Sequence, residues 1–192
     1  MCARYTLPGD DPRVLKLERI LRDRYEGTPL LDRFRTGELA PGAIAPVRCL
    51  NRRQVPSWFL MKWGFALKGA KLIFNARSET LLEKPVFRES ALHHRCLVPA
   101  CAFFEWSHTS PEKEKVAFAH PQGRLVWMAG IYTLESPEPR FTVITREAAG
   151  EAARVHPRMP LILEPGKHAQ WLSPQTDPRP LLTGGDTGIC RL

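Results

Sequence analysis

The 192-residue sequence holds no apolar run near the roughly 20 residues that a membrane-spanning helix needs. Its N-terminus also lacks the basic segment and apolar stretch of a secretory signal. A cytoplasmic location is therefore expected, at the nucleoid in a bacterium or in the nucleus of a eukaryote, with no membrane partner. No pair of CxxC motifs is present. The five cysteines, Cys2, Cys49, Cys96, Cys101 and Cys190, are odd in number and lack paired zinc spacing, which argues against a disulfide framework. HHRCLVPAC (His93 to Cys101) does gather two histidines and two cysteines. It reads as part of a buried strand, where thiols act as small apolar side chains, so neither metal nor cofactor is expected. There is no internal repeat and no low-complexity segment.

What is present suits an ordinary folded chain. Hydrophobic residues make up 43% and charged residues 25%, and the length fits one domain over residues 1–192. Its core is expected at about 2–172, with a peripheral Pro-, Gly- and Thr-rich tail at 173–192, and nothing demands more than a monomer. The net charge of +8 is unevenly placed: residues 1–100 hold 18 basic against 10 acidic residues, and residues 101–192 hold 10 of each. A basic first half points to a polyanion such as nucleic acid, or simply to a basic protein.

DPRVLKLERILRDRY (Asp11 to Tyr25) puts Val14, Leu17, Leu21 and Tyr25 on one face, which predicts an amphipathic helix capped by Asp11 with Pro12 first. Short apolar runs follow between Pro and Gly turns: AIAPVRCL, SWFLMKWGFAL, KLIFNA, RCLVPACAFFEW, RLVWMAGIYTL, RFTVITR and RMPLILE. They predict a curled, barrel-like, mainly antiparallel β core. Helices are expected at ARSETLLEK, at PVFRESALHH opened by Pro85, at TREAAGEAARV capped by Thr145, and at PGKHAQWL. SHTSPEKEK (Ser107 to Lys115) and LESPEPR (Leu134 to Arg140) read as hairpin turns. Strands and helices do not alternate regularly, so the class is α+β with short peripheral helices.

Polar groups at strand edges are the candidates for chemistry, each with a plainer reading beside it. Cys2 is a frayed terminal residue or, with Met1 removed, a carrier of both a free α-amine and a thiol. Asn75 caps a helix or donates from its amide. Glu105 turns outward to solvent or sits desolvated among Phe103, Phe104 and Trp106, which raises its pKa and suits it to proton transfer. His156 is a turn histidine or an acid–base group. Together they are the parts of a nucleophilic site.

MCARY, the KWG of MKWGF, FNARSET, RCLVPACAFFEW, MAGIY, FTVITREA and HPRMP run in that order from residue 2 to about residue 160. They resemble the SOS response-associated peptidase (SRAP) family, whose members carry a catalytic cysteine just after the initiator methionine. The resemblance implies a protein that senses abasic sites in single-stranded DNA and caps them covalently. The Cys2 α-amine would condense with the ring-opened sugar aldehyde and the thiol would close a thiazolidine, after a methionine aminopeptidase has removed Met1. It implies that Asn75 holds the Cys2 terminus or the sugar, that Glu105 shuttles protons and that His156 assists ring opening. Arg4, Arg77 and Arg158 would grip phosphates, and Trp63 would stack a flanking base. The family's usual Cys-Gly-Arg and GFYEW are here Cys2-Ala3-Arg4 and Ala102 to Trp106, with phenylalanine at Phe104. Two other readings stand beside it. One is a thiol peptidase with Cys2 as nucleophile, His156 as base and Asn75 as oxyanion donor; the other is a non-enzymatic single-strand-binding module. Lyase activity belongs with the first reading.

Overall fold

The Asp11 side chain accepts a hydrogen bond from the Arg13 backbone N–H (2.8 Å) and opens a helix whose first residue is Pro12, as the sequence predicts. The computed structural model describes residues 2–66, 72–108, 112–134, 138–184 and 188–192. In chain order its elements are β1 (Arg4–Leu7), α1 (Pro12–Tyr25), α2 (Pro29–Arg33), β2 (Gly37–Leu39), β3 (Ile44–Leu50), β4 (Pro56–Trp63) and β5 (Asn75–Arg77). Then come α3 (Pro85–His93), β6 (Arg95–Ala100), β7 (Ala102–Trp106), β8 (Lys115–Ala119), β9 (Val126–Thr133), β10 (Arg140–Glu147), α4 (Gly150–Ala153), β11 (Arg158–Pro160), α5 (His168–Leu172) and β12 (Cys190–Arg191).

Strand pairing closes a ring: β10 pairs β4, β4 pairs β3, β3 pairs β6, β6 pairs β9, and β9 returns to β10. β10 makes this possible by changing partners along its length. Arg140 and Phe141 run parallel to Lys62 and Trp63 of β4, and Val143 to Thr145 then run parallel to β5. Its other edge serves β9 first and β11 afterwards. Apart from a lone parallel bridge between Phe34 and Ile44, every other pairing among the described residues is antiparallel, so the expected α+β class with a curled, mainly antiparallel barrel is what the single domain shows. A second sheet, β12-β8-β7-β1-β2, lies against the ring, and its Tyr5 ring is 5.1 Å from that of Trp63.

Alternation along the strands fills the ring. Ala45, Val47, Cys49, Met61, Cys96, Val98, Met128, Phe141 and Val143 form one buried cluster, which Cys2, Tyr5, Leu7, Phe103 and Phe118 of the second sheet join. Gly130 has to be glycine, because a Cβ there would stand 2.9 Å from Cys96 Sγ and 3.1 Å from the Thr142 carbonyl. Leu97, Ala129, Ile131 and Ile144 point the other way, under α3 and α5.

Several expectations are corrected. RCLVPACAFFEW is two strands in two sheets. The chain turns at Cys101, whose N–H donates to the Thr6 carbonyl (2.8 Å). TREAAGEAARV is not one helix: β10 runs on to Glu147, pairing Thr145 to Glu147 with β11, and only Gly150–Ala153 is helical. Inter-strand pairing outweighs the helix propensity of its alanines and glutamates. ARSETLLEK yields only a 3-10 turn over Ser78–Thr80. After Ser173 the chain is partly packed: Leu181 and Leu182 are buried, and the buried Arg95 guanidinium donates to the Ser173 and Thr176 carbonyls. Parts of KLIFNA, SWFLMKWGFAL and the two expected hairpin loops lie outside the described residues.

Candidate active site

β1 runs antiparallel to β7 with Tyr5 opposite Phe103 and Arg4 opposite Phe104. This register carries the chain start toward Glu105. β7 alternates: Phe103 and Glu105 are buried, while Phe104 and Trp106 are only half-buried and carry the Lys115 ammonium over their rings. Glu105 thus points inward, 1% exposed, not out to solvent. Burial pushes its carboxyl up to about 7, because the charged form is poorly solvated there.

Cys2 is wholly buried. Its thiol donates to the Arg4 carbonyl at 3.6 Å, and burial, with the Glu105 charge adding to it, holds its pKa well above the ordinary thiol value. Asn75 reaches it from the other sheet: β5, aligned by Val143 of β10, directs Asn75 Nδ2 to the Cys2 carbonyl at 2.9 Å. Asn75 therefore does not cap the turn that follows, whose cap position is Arg77. Its Oδ1 is buried with no hydrogen-bond partner among the described residues.

His156 sits between α4 and β11, and its Nδ1 lies 3.7 Å from Glu105 Oε2. The same nitrogen is 2.9 Å from both the N–H and the carbonyl of Arg158. Burial lowers its pKa, which favours the neutral ring. The fold therefore gathers Cys2, Asn75, Glu105 and His156, four residues spread over 155 positions, at one end of the barrel where the two sheets meet. His108 is a neighbour that sequence reasoning missed: its ring stands edge-on to His156 with centroids 4.3 Å apart. Lying in a polar loop, it carried no periodic signal.

The three arginines differ. Arg77 is exposed and makes no ion pair with a described residue. Arg4 lies half-exposed beside Glu38 (3.5 Å) and donates to the Ala3 carbonyl. Arg158 is turned inward: Nη1 and Nη2 donate to the two Glu79 oxygens at 2.6 and 2.9 Å, and Nη2 also donates to the Thr145 carbonyl at 2.7 Å. That pair ties FNARSET to HPRMP and holds the Glu79 carboxyl down at about 2. Trp63 is corrected outright. Its ring is fully buried, with Nε1 donating to the Phe74 carbonyl (2.9 Å) and Phe141 stacked at 6.2 Å, so it packs the core and offers no face to a base. Among the described residues, no group of three or more His, Cys, Asp or Glu is arranged to hold a metal ion. No helix among them is long and apolar enough to cross a membrane.

Residues 1–184 match the family model described as SOS response associated peptidase (SRAP). The abasic site processing protein YoqW of Bacillus subtilis is 35% identical over 131 residues, 62% of this chain and 58% of that protein. The abasic site processing protein HMCES of Gallus gallus is 32% identical over 135 residues, 57% of this chain and 40% of that protein. The chain thus matches little more than half the length of the first relative and less than half of the second. A crystal structure of a Bacteroides thetaiotaomicron protein shares the fold, with a TM-score of 0.77 at 21% identity over 99% of this chain and 90% of that one.

Proposed function

The chain belongs to the SOS response associated peptidase (SRAP) family, and from that premise we propose that it captures abasic sites in single-stranded DNA as a covalent adduct on Cys2. The observation that carries this is the Asn75 amide holding the Cys2 carbonyl at 2.9 Å beside a buried carboxyl that titrates near 7. With Met1 removed, the Cys2 nitrogen becomes an α-amine. Such an amine has a pKa of roughly 7.7 to 8.0, so about a tenth is free base at pH 7, against well under a thousandth for a lysine.

The amine lone pair attacks the aldehyde carbon of the ring-opened sugar, giving a carbinolamine. Glu105 in its protonated form donates to the departing hydroxyl, which leaves as water, and a protonated imine remains, its nitrogen keeping one hydrogen. The Glu105 carboxylate then accepts the Cys2 thiol proton as sulfur bonds to the imine carbon, and the C=N electron pair passes to the nitrogen to give the neutral thiazolidine. The balance is aldehyde plus aminothiol to ring plus one water. This answers the difficulty that burial poses for Cys2: a thiol held protonated reacts only with a base at hand. His156, neutral and 3.7 Å from Glu105, supplies the second proton-transfer group for ring opening. Arg77 and Arg4 take the flanking phosphates. A thiol peptidase draws less support from the geometry, since Cys2 Sγ is directed to the Arg4 carbonyl.

The test is incubation with a single-stranded oligonucleotide carrying one abasic site, followed by a denaturing gel. Protein shown by mass spectrometry to lack Met1 is expected to give a heat-stable adduct. Cys2→Ala should abolish it, and Cys2→Ser should leave mainly an imine that borohydride traps. No adduct from the wild-type protein would overturn the proposal.

A further inference from the structure

A second opening lies where the C-terminal ends of β3 and β9 meet the start of β6. It is a cleft of about 670 Å³, and none of Cys2, Asn75, Glu105 and His156 lines it. That volume falls within the range usual for small-ligand sites. Its two sides differ in chemistry. On the rim stand Arg24 from the end of α1, and Arg52 and Arg53 from the turn between β3 and β4. On the wall are Phe59, His94 and Tyr132, the last two with ring centroids 5.1 Å apart. No carboxylate occurs among the described residues that line it, although the chain holds 20 acidic residues.

The cations are presented ready-made. The Arg24 guanidinium lies 4.2 Å from the centroid of the Phe59 ring, which positions it without using its N–H donors. Asn51 Oδ1 accepts from the Arg53 and Val55 N–H groups (2.8 and 3.0 Å), fixing the turn that carries Arg52 and Arg53. Arg95, whose guanidinium is spent on backbone carbonyls, shows the contrast: a structural arginine in this fold is buried and fully bonded. Arg52 and Arg53 are exposed and make no ion pair with a described residue. Inorganic phosphate would fill only the rim. The aromatic wall calls for a flat group of base size within reach of the anion.

We infer that this cleft binds a nucleoside phosphate, its phosphate on Arg24, Arg52 and Arg53 and its base against the wall that His94 and Tyr132 form. A free nucleotide and one nucleotide of a single strand offer the same chemistry, and the inference stands apart from the reaction at Cys2. The test titrates wild type, R52E/R53E and R24E with deoxyadenosine monophosphate, inorganic phosphate and a lesion-free oligodeoxyadenylate, followed by calorimetry. Arg52 and Arg53 are exposed and make no ion pair with a described residue, so R52E/R53E should melt as wild type does, and R24E, which gives up the Phe59 contact, slightly below it. Wild type should bind the monophosphate saturably and phosphate more weakly, and each charge reversal should weaken binding about tenfold or more. Where the monophosphate itself saturates, adduct formation at Cys2 should stay at the wild-type rate. If only the oligonucleotide saturates, with the same loss in R52E/R53E and R24E, the ligand is a strand nucleotide. Absence of saturable binding by either ligand, or binding indifferent to the charge reversals, would overturn the inference. A lost adduct with intact nucleotide binding would count against the Cys2 reaction alone.

Discussion

The two ends of the barrel share one interior and use it in opposite ways. At the closed end, Cys2, Glu105 and His156 are all less than 10% exposed, and burial shifts each of their pKa values toward the neutral form. At the open end, Arg24, Arg52 and Arg53 are exposed to water beside an aromatic wall. Burial suits the first end to moving protons but would disable the rim of the second, because a desolvated guanidinium binds its own backbone, as that of Arg95 does in the lining of the same cleft. Buried titratable groups at one end and exposed cations at the other follow from where the sheets cover the ring.

The sharpest way to break the contrast is at Trp63, which packs the closed end. Trp63→Ala should cost about 3–5 kcal/mol of stability through the cavity it leaves, read by denaturant unfolding. Binding to lesion-free single strands by the molecules that remain folded should be unchanged. A stable variant with lost DNA affinity would restore Trp63 as a base platform.

Glu105 tests whether burial at that end has the expected thermodynamic sign. Its pKa is raised from 4.5 to about 7, so the stability contributed by its neutral form is complete below pH 4.5 and is lost as the pH rises through 7. By about pH 8 the ionised carboxylate costs the fold about 3 kcal/mol. Glu105→Gln should therefore be more stable than wild type at about pH 8 and equal to it below pH 4.5, while forming adduct more slowly. Parallel stability curves for the two proteins across that window would refute the burial argument.

The smallest effect separates two arginines. Arg77→Ala should lower the slope of log affinity for single-stranded DNA against log salt by about 0.7, the share of one phosphate. Arg158→Ala should leave that slope nearly unchanged and instead cost about 1 kcal/mol, a modest figure because its partner Glu79 is 47% exposed. Equal slopes in the two variants would mean that Arg158 leaves Glu79 to reach the strand.

Local chemistry was legible where one segment suffices. Asp11-Pro12 starts α1 because a carboxylate cap and a fixed φ act within a few residues, and Val14, Leu17 and Leu21 are buried as their spacing requires. Pro85 opens α3 on the same ground. RCLVPACAFFEW could not be divided by inspection, since both halves are apolar and only the bond from the Cys101 N–H to Thr6 of β1 marks where the chain turns. Thr145 looked like a cap because hydroxyls cap helices, but its backbone was claimed by β11.

By itself the sequence determined the α+β class, the start of the first helix, the basic first half and the candidate set of Cys2, Asn75, Glu105 and His156. Tertiary structure alone decided which face each residue shows. It turned Glu105 inward, buried Trp63, committed Arg158 to Glu79, left Arg77 in solvent and opened a cationic cleft at the far end of the ring. The physical reason is range: caps and periodicity act over a few residues of chain. Burial and ion pairing depend on what distant segments bring alongside, and here those segments hold positions 2, 75, 105 and 156.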